Sequence, residues 1–329
     1  MFLSQVIDLD RSCRTAVRKY LSYLALEKGQ TASPNSASYC NARARLPLKN
    51  LELIWKQSAR QLEAKTNRES FWQGRSVKVI DGSGLSMPDT LENQQAYPQS
   101  KRQKLGCGFP TMRIMAAFSM ATGAIIGLTK GTLNCSERTL FKGLWHLFQA
   151  EDVILADAGL CSFADFHFLK ERGIDCVMRN HHRRSVGVEV VEQMSRGDRL
   201  VYWIKMKPCP KWLEKEQWAM VPSKLLVREV RFSVEIRGFK TKTIVVATTL
   251  LDHKTYTARD LAELYRRRWR AELFLRDIKT TMGMDVLRCK TPDMVHKELT
   301  MYLIAYNLVR ALMWQSVIDH NASVDRLSL

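Results

Sequence analysis

The chain has 329 residues, 46% of them hydrophobic, enough to bury a large core in one main domain with additions. A total of 51 Lys and Arg against 33 Asp and Glu gives a net charge of +18, which favours a polyanionic partner over a merely soluble basic surface. No run approaches the ~18 apolar residues of a membrane span, the first residues lack the blocks of a signal peptide, and none of the 8 cysteines sits in a C-x-x-C pair, so zinc ribbons and disulfide scaffolds are disfavoured and a reducing cytoplasm is expected.

Residues 1–72 read as a helical region. One helix is predicted from about Arg11 to Glu27, stopped at Gly29, and two more flank Leu46-Pro47, the second with Leu48, Leu51, Ile54 and Trp55 at helical spacing. Its basic residues Arg43, Arg45, Lys49 and Lys56 suit DNA contact or a solvated helix face equally well.

A mixed α/β pattern follows over 73–179. Strands are predicted at 77–81, 112–120 and 124–130, the last two turning at Thr122-Gly123, then a helix over 136–149 and a strand at 153–157. The next helix opens on Ser162-Phe163-Ala164-Asp165, a capping-box pattern, and ends at Gly173 before a strand over 174–178. This order gives a mixed sheet flanked by helices.

Residues 180–251 break the rhythm. Strand-like segments at 200–204, 225–227 and 243–247 alternate with basic turns, and the reading is a β-rich inserted subdomain standing apart from the main sheet. Its Arg183, Arg184, Arg196, Arg199, Lys205, Lys207, Lys240 and Lys242 lie among Tyr202, Trp203, Trp212 and Trp218, a mixture suited to a nucleic-acid backbone; a structural cap with inward aromatics is the alternative. Helix resumes over 252–329, first from the capping box Thr257-Ala258-Arg259-Asp260 unbroken to about Met282, then from Pro292 to about Ser316.

Three acidic residues stand out. Asp81 closes the strand Val77-Lys78-Val79-Ile80, and Asp157 closes Val153-Ile154-Leu155-Ala156. Glu272 sits in the basic run that begins Tyr265-Arg266-Arg267-Arg268 and continues to Lys279. At about 100° per residue, Tyr265, Arg268, Glu272 and Lys279 share an arc of about 60° on one helix face. Beside it Leu264, Ala271, Leu275, Ile278 and Met282 make an apolar stripe, so one seam can dock on the sheet while the other faces the aspartates. Alone, either aspartate is a common turn residue. Two strand-end aspartates with a helical glutamate form a ligand set for a pair of Mg²⁺ ions in phosphoryl transfer, with Asp81, Asp157 and Glu272 as both metal and catalytic residues.

The spacing Y-x-x-R-x-x-x-E-x-x-x-x-x-x-K, filled by Tyr265, Arg268, Glu272 and Lys279, resembles the signature of DDE transposases of bacterial insertion sequences in the IS-four family. Val79-Ile80-Asp81-Gly82-Ser83 and Leu155-Ala156-Asp157-Ala158-Gly159 resemble its two aspartate strands, and Gly106-Cys107-Gly108-Phe109-Pro110 and residues 39–47 resemble further segments. The resemblance implies a ribonuclease-H-like core with a β-strand insertion before the glutamate helix. It implies Mg²⁺-dependent cleavage at transposon ends (Mn²⁺ able to substitute), then attack of the freed 3′ hydroxyl on target double-stranded DNA. Tyr265, Arg268 and Lys279 would lie near DNA phosphates. A homodimer in the DNA complex, no membrane, and a cytoplasmic, nucleoid-associated bacterial protein are expected. The resemblance also implies a longer N-terminal region and a continuation past Leu329, so a truncated, inactive DNA-binding remnant and a two-metal nuclease of the same core are the alternatives. In some relatives a tryptophan of the insertion stacks on a flipped base; for Trp203, Trp212 and Trp218 ordinary packing is the preferred reading.

Overall fold

The computed structural model describes residues 1–66, 70–104, 106–181, 187–210, 212–234 and 242–320. The chain opens with four helices, α1 (Phe2–Ile7), α2 (Cys13–Lys28), α3 (Ala37–Arg45) and α4 (Leu48–Ala64). Ser12 caps α2 by accepting from the Thr15 N–H, and Gly29 ends it in the left-handed region at φ 60, where glycine carries no Cβ penalty. Arg43, one of the residues read as a possible DNA contact, instead binds Gln5 Oε1 at 2.9 Å and lies over the Phe2 ring, holding the helices together.

The core follows in the order β1 (Val77–Ser86), α5 (Leu91–Ala96), β2 (Thr111–Ser119), β3 (Ile125–Thr132), α6 (Glu137–Lys142), β4 (Val153–Ala156), α7 (Phe163–Glu171) and β5 (Asp175–Arg179). Next come β6 (Val188–Ser195), β7 (Asp198–Ile204), α8 (Lys215–Met220), β8 (Lys224–Val234) and β9 (Lys242–Thr248). The last helices are α9 (Ala258–Arg266), α10 (Trp269–Arg276) and α11 (Pro292–His320). The nine strands form one sheet in the order β3-β2-β1-β4-β5-β9-β8-β7-β6. β1, β2 and β3 are antiparallel neighbours, while β4 runs parallel to β1 and β5 to β4. This is the ribonuclease-H-like mixed sheet expected from the sequence.

Both faces are covered, which is why the central strands read as near-continuous apolar runs. Val77, Val79, Val153 and Leu155 enter one core with α4, α10 and α11; Ile80, Ile154 and Ala156 point to the other, with α6 and α7. No helix among the described residues is long and apolar enough to cross a membrane.

Four expectations need correction. β1 does not stop at Asp81 but continues through Gly82-Ser83-Gly84 to Ser86, paired with β2 throughout. A Cβ at Gly82 would meet Met115 Cε at 3.3 Å, so here glycine permits a close crossing and does not break the strand. The helix read over 136–149 is α6 followed by a 3-10 turn, Trp145–Leu147. At the intervening Gly143 a Cβ would lie 2.9 Å from Thr129 Cγ2, so the segment crosses β3 too tightly for a larger residue. The helix read over 257–282 is α9, α10 and a π-helical turn, Asp277–Thr281. The strands of 180–251 do not stand apart: β9 pairs antiparallel with β5, and β8, β7 and β6 extend the same sheet. Periodicity within a strand carries no information about which strand it will pair with, hence the miss.

Candidate active site

β1 and β4 pair only from Val77–Val153 to Val79–Leu155. Beyond that point the two parallel strands part where the strand order reverses direction, the place where open α/β sheets leave a crevice. Asp81 stands in β1 just past the last pair, half-buried, with the Gly82 N–H donating to its Oδ1 at 2.9 Å. Asp157 follows the last residue of β4 and opens a 3-10 turn, Ala158–Leu160, where it is exposed.

The third carboxylate comes from the helical side. The Thr257–Asp260 capping box starts α9, which packs its apolar stripe of Leu261, Leu264 and Tyr265 into the core. At 266–271 the hydrogen bonds shorten to three-residue spacing, Arg268 N–H to Tyr265 C=O at 3.0 Å and Ala271 N–H to Arg268 C=O at 2.9 Å, and the helix restarts as α10. The break keeps the predicted face together. Tyr265 Oη donates to Asp157 Oδ1 at 3.5 Å, and Arg268 Nη2 donates to Glu272 Oε1 at 2.9 Å. In the π-helical turn, Met282 N–H reaches back five residues to Asp277 C=O, and Lys279 Nζ donates to Ser83 Oγ on β1 at 2.7 Å.

The carboxylates act on one another. Burial pushes the Asp81 carboxyl up, Glu272 and Asp157 push it further, and the Gly82 N–H and Arg268 oppose them. Burial also pushes the Tyr265 hydroxyl up to about 12, keeping it protonated as a donor. Arg268 is itself only 8% exposed. Burial alone would lower its pKa, but Tyr265, Glu272 and Asp157 outweigh that and raise it. Its Nε, buried, has no hydrogen-bond partner among the described residues, an open donor beside two carboxylates and two aromatic rings.

These oxygens are the donors a hard divalent cation takes, and repulsion at a half-buried Asp81 is what such a cation relieves. Among the described residues, however, no three carboxylate, imidazole or thiol groups are gathered closely enough to hold an ion. Glu272 is drawn to Arg268 instead. The chemistry of the donor set fits a metal; its closure requires Glu272 to exchange one partner for another.

The family model for the transposase DDE domain matches residues 72–308, most of the chain. This chain belongs to that family. Like the motifs, the comparison with curated proteins points to the IS4 type: this chain is 27% identical over 274 residues to the transposase InsG for insertion sequence element IS4 of Escherichia coli (strain K12). The match covers 83% of this chain and 60% of InsG, so the chain spans less than two thirds of that relative. Among solved structures, a cryo-EM structure of a piggyBac transposase synaptic complex with hairpin DNA aligns over 75% of this chain and 49% of that one, at 10% identity and a TM-score of 0.42, too low to bear on fold or function.

Two residues of this DDE transposase site escaped sequence reasoning. Arg179 ends β5 beside Asp157, since Ala156 and Met178 are paired one step earlier, and its charge is felt by the Tyr265 hydroxyl. The sequence held no signal for its place, which the register between β4 and β5 sets. Ser83, the partner of Lys279, carried none. The insertion's aromatics point inward: Trp203 is 1% and Trp218 8% exposed, and Trp212 packs edge-on against Trp145 and Phe168. Lys205 is spent on the carbonyls of Trp218 and Val221. Arg183, Arg184 and Lys240 lie outside the described residues.

Proposed function

We propose that this chain carries out metal-dependent cleavage of DNA phosphodiester bonds at the ends of an insertion sequence and transfer of the freed 3′ end to target double-stranded DNA. The observation that carries this reading is the half-buried Asp81 at the mouth between β1 and β4, its carboxyl pushed up by burial and then by Glu272 and Asp157, in a chain of the DDE family. These three residues would hold divalent ions, Mg²⁺ in preference, with Mn²⁺ as a substitute; when bound, such ions activate the attacking oxygen and stabilise the leaving one.

The chain's own residues do the rest. Arg268 holds Glu272 aside, and its Nε is buried without a partner among the described residues, so a shift of the guanidinium toward an incoming phosphate would give that donor a charge-assisted bond and loosen the grip on Glu272. Tyr265, protonated, orients Asp157. Lys279 fixes β1 beyond Asp81 through Ser83 and presents its charge to the same mouth, and Arg179 guards the far side. Two copies of the chain on paired ends are the assembly this chemistry calls for.

The test is strand cleavage of a duplex bearing the element's ends, with Mg²⁺, by the full chain and by Asp81→Asn. Cleavage is expected to vanish in the variant while duplex binding persists. Unchanged cleavage by Asp81→Asn removes this assignment.

A further inference from the structure

At the far end of the sheet, β6 and β7 are joined by the turn Arg196-Gly197. Gly197 has φ +93, and a Cβ there would come within 3.0 Å of the Arg231 carbonyl oxygen, so only glycine lets this turn close over β8. The Arg231 N–H donates back to Gly197 C=O, and the closure brings Arg196 beside Arg231. With Arg199 they line a cavity of about 630 Å³ whose neutral lining includes Gln193, Ser233 and Thr243.

Among the described residues one carboxylate, Glu229, faces this cavity, and its oxygens are already taken. Oε2 accepts from Arg199 Nε and Nη2 at 3.1 and 2.7 Å; Oε1 accepts from Trp203 Nε1 at 3.1 Å and Asn180 Nδ2 at 2.8 Å. Arg196 and Arg231 have no acidic partner among the described residues. The cavity therefore holds three guanidinium groups against one neutralised carboxylate, with hydroxyl and amide donors between them, a composition that recognises phosphate.

Two links tie it to the carboxylate mouth. Phe232, next to Arg231 in β8, turns its ring to the opposite face of the sheet, where it meets the Tyr265 ring at 6.3 Å. Successive residues at the end of β5 point to opposite sides: Arg179 influences Tyr265, while Asn180 binds Glu229. The two places lie on opposite faces of the sheet, so a polyanion passing around the ends of β5 and β9 would meet both.

We propose that the cavity seats the phosphodiester backbone of a DNA strand running from the carboxylate mouth, with Arg196 and Arg231 as phosphate ligands and Arg199, fixed by Glu229, positioned beside them. This rests on the DNA reading above. The experiment measures duplex binding by fluorescence anisotropy across a potassium chloride titration, for the full chain, Arg196→Ala/Arg231→Ala, Arg196→Lys/Arg231→Lys and Asp81→Asn. The alanine pair is expected to lower the salt slope by about 1.8, ~0.9 for each lost phosphate contact. The lysine pair restores most of it. An alanine pair with the wild-type slope overturns the proposal, as does a wild type that binds no duplex. Thermal stabilisation by inorganic phosphate that the alanine pair loses, with the slope intact, makes this a small-anion site and also overturns it. Cleavage surviving in Asp81→Asn would sink the catalytic assignment alone and leave the cavity's role standing.

Discussion

The sheet has two halves that handle charge in opposite ways. In the half from β3 to β5, the strands are apolar through the core and release their carboxylates only at the edge, where Asp81 feels Asp157 and Glu272 without full compensation. In the half from β9 to β6, the charge buried within the sheet is satisfied there, and Arg196 and Arg231 at its rim are left without an acidic partner among the described residues. Arg228, 0% exposed, forks onto Asp198 at 2.8 and 2.6 Å and also reaches Tyr256 C=O, and Glu229 collects four donors. Uncompensated groups at an edge are available to a ligand; compensated groups inside a sheet fix its geometry. The first half is built for chemistry and the second for holding a shape against which a ligand can lie.

The sharpest way to break this contrast is at the edge. Asp157→Asn and Glu272→Gln are expected to lower cleavage by more than ~10³-fold while leaving the fold intact, read by strand cleavage alongside circular dichroism. A variant that loses its fold would show that these carboxylates are structural.

In the second half the expectation reverses. Arg228→Met leaves Asp198 buried and unpaired, which costs about 3–5 kcal/mol, and replacing Asp198 with Leu in the same chain recovers much of that. Calorimetry reads a second point from the same variant. One transition moved to lower temperature means that the two halves melt together through the β5–β9 pairing; a new, separate transition would show the insertion to be an independent unit.

The helix that covers the first half also carries a half-buried base. His296 on α11 shares a 2.7 Å hydrogen bond with Tyr97 Oη, and burial, helped by Lys130 and opposed by Asp293, drops its pKa to about 4. The folded pKa lies below the ordinary value of about 6.5, so the unfolded chain takes the proton first. Stability is then full above about pH 6.5 and is lost as pH falls through about 4, by up to ~3 kcal/mol. Denaturant titrations of wild type and His296→Gln between these limits check it: the variant's profile should be flatter.

The smallest effect belongs to the contact between chemistry and binding. Arg268→Ala is expected to lower the salt slope of duplex binding by about one phosphate contact. An identical slope would leave Arg268 only the role of holding Glu272.

Much of the first half was legible in the sequence, because alternation, capping and helical spacing are local. Thr257-Ala258-Arg259-Asp260 announced α9, and the arc shared by Tyr265, Arg268, Glu272 and Lys279 survived a break in the helix that periodicity did not reveal, since one tightened turn hardly alters a helical wheel. Motif spacing also pointed to the family whose model matches residues 72–308. What lay beyond local pattern was pairing and partner choice. That β9 would add to β5, that Gly82 and Gly84 would carry a strand onward, that Arg179 would stand next to Asp157 and that Glu272 would rest on Arg268 all depend on which surfaces meet in space. Hydrogen bonds between strands and forces between charges act across distances in the fold that have no counterpart in distance along the chain, so the tertiary structure decided them.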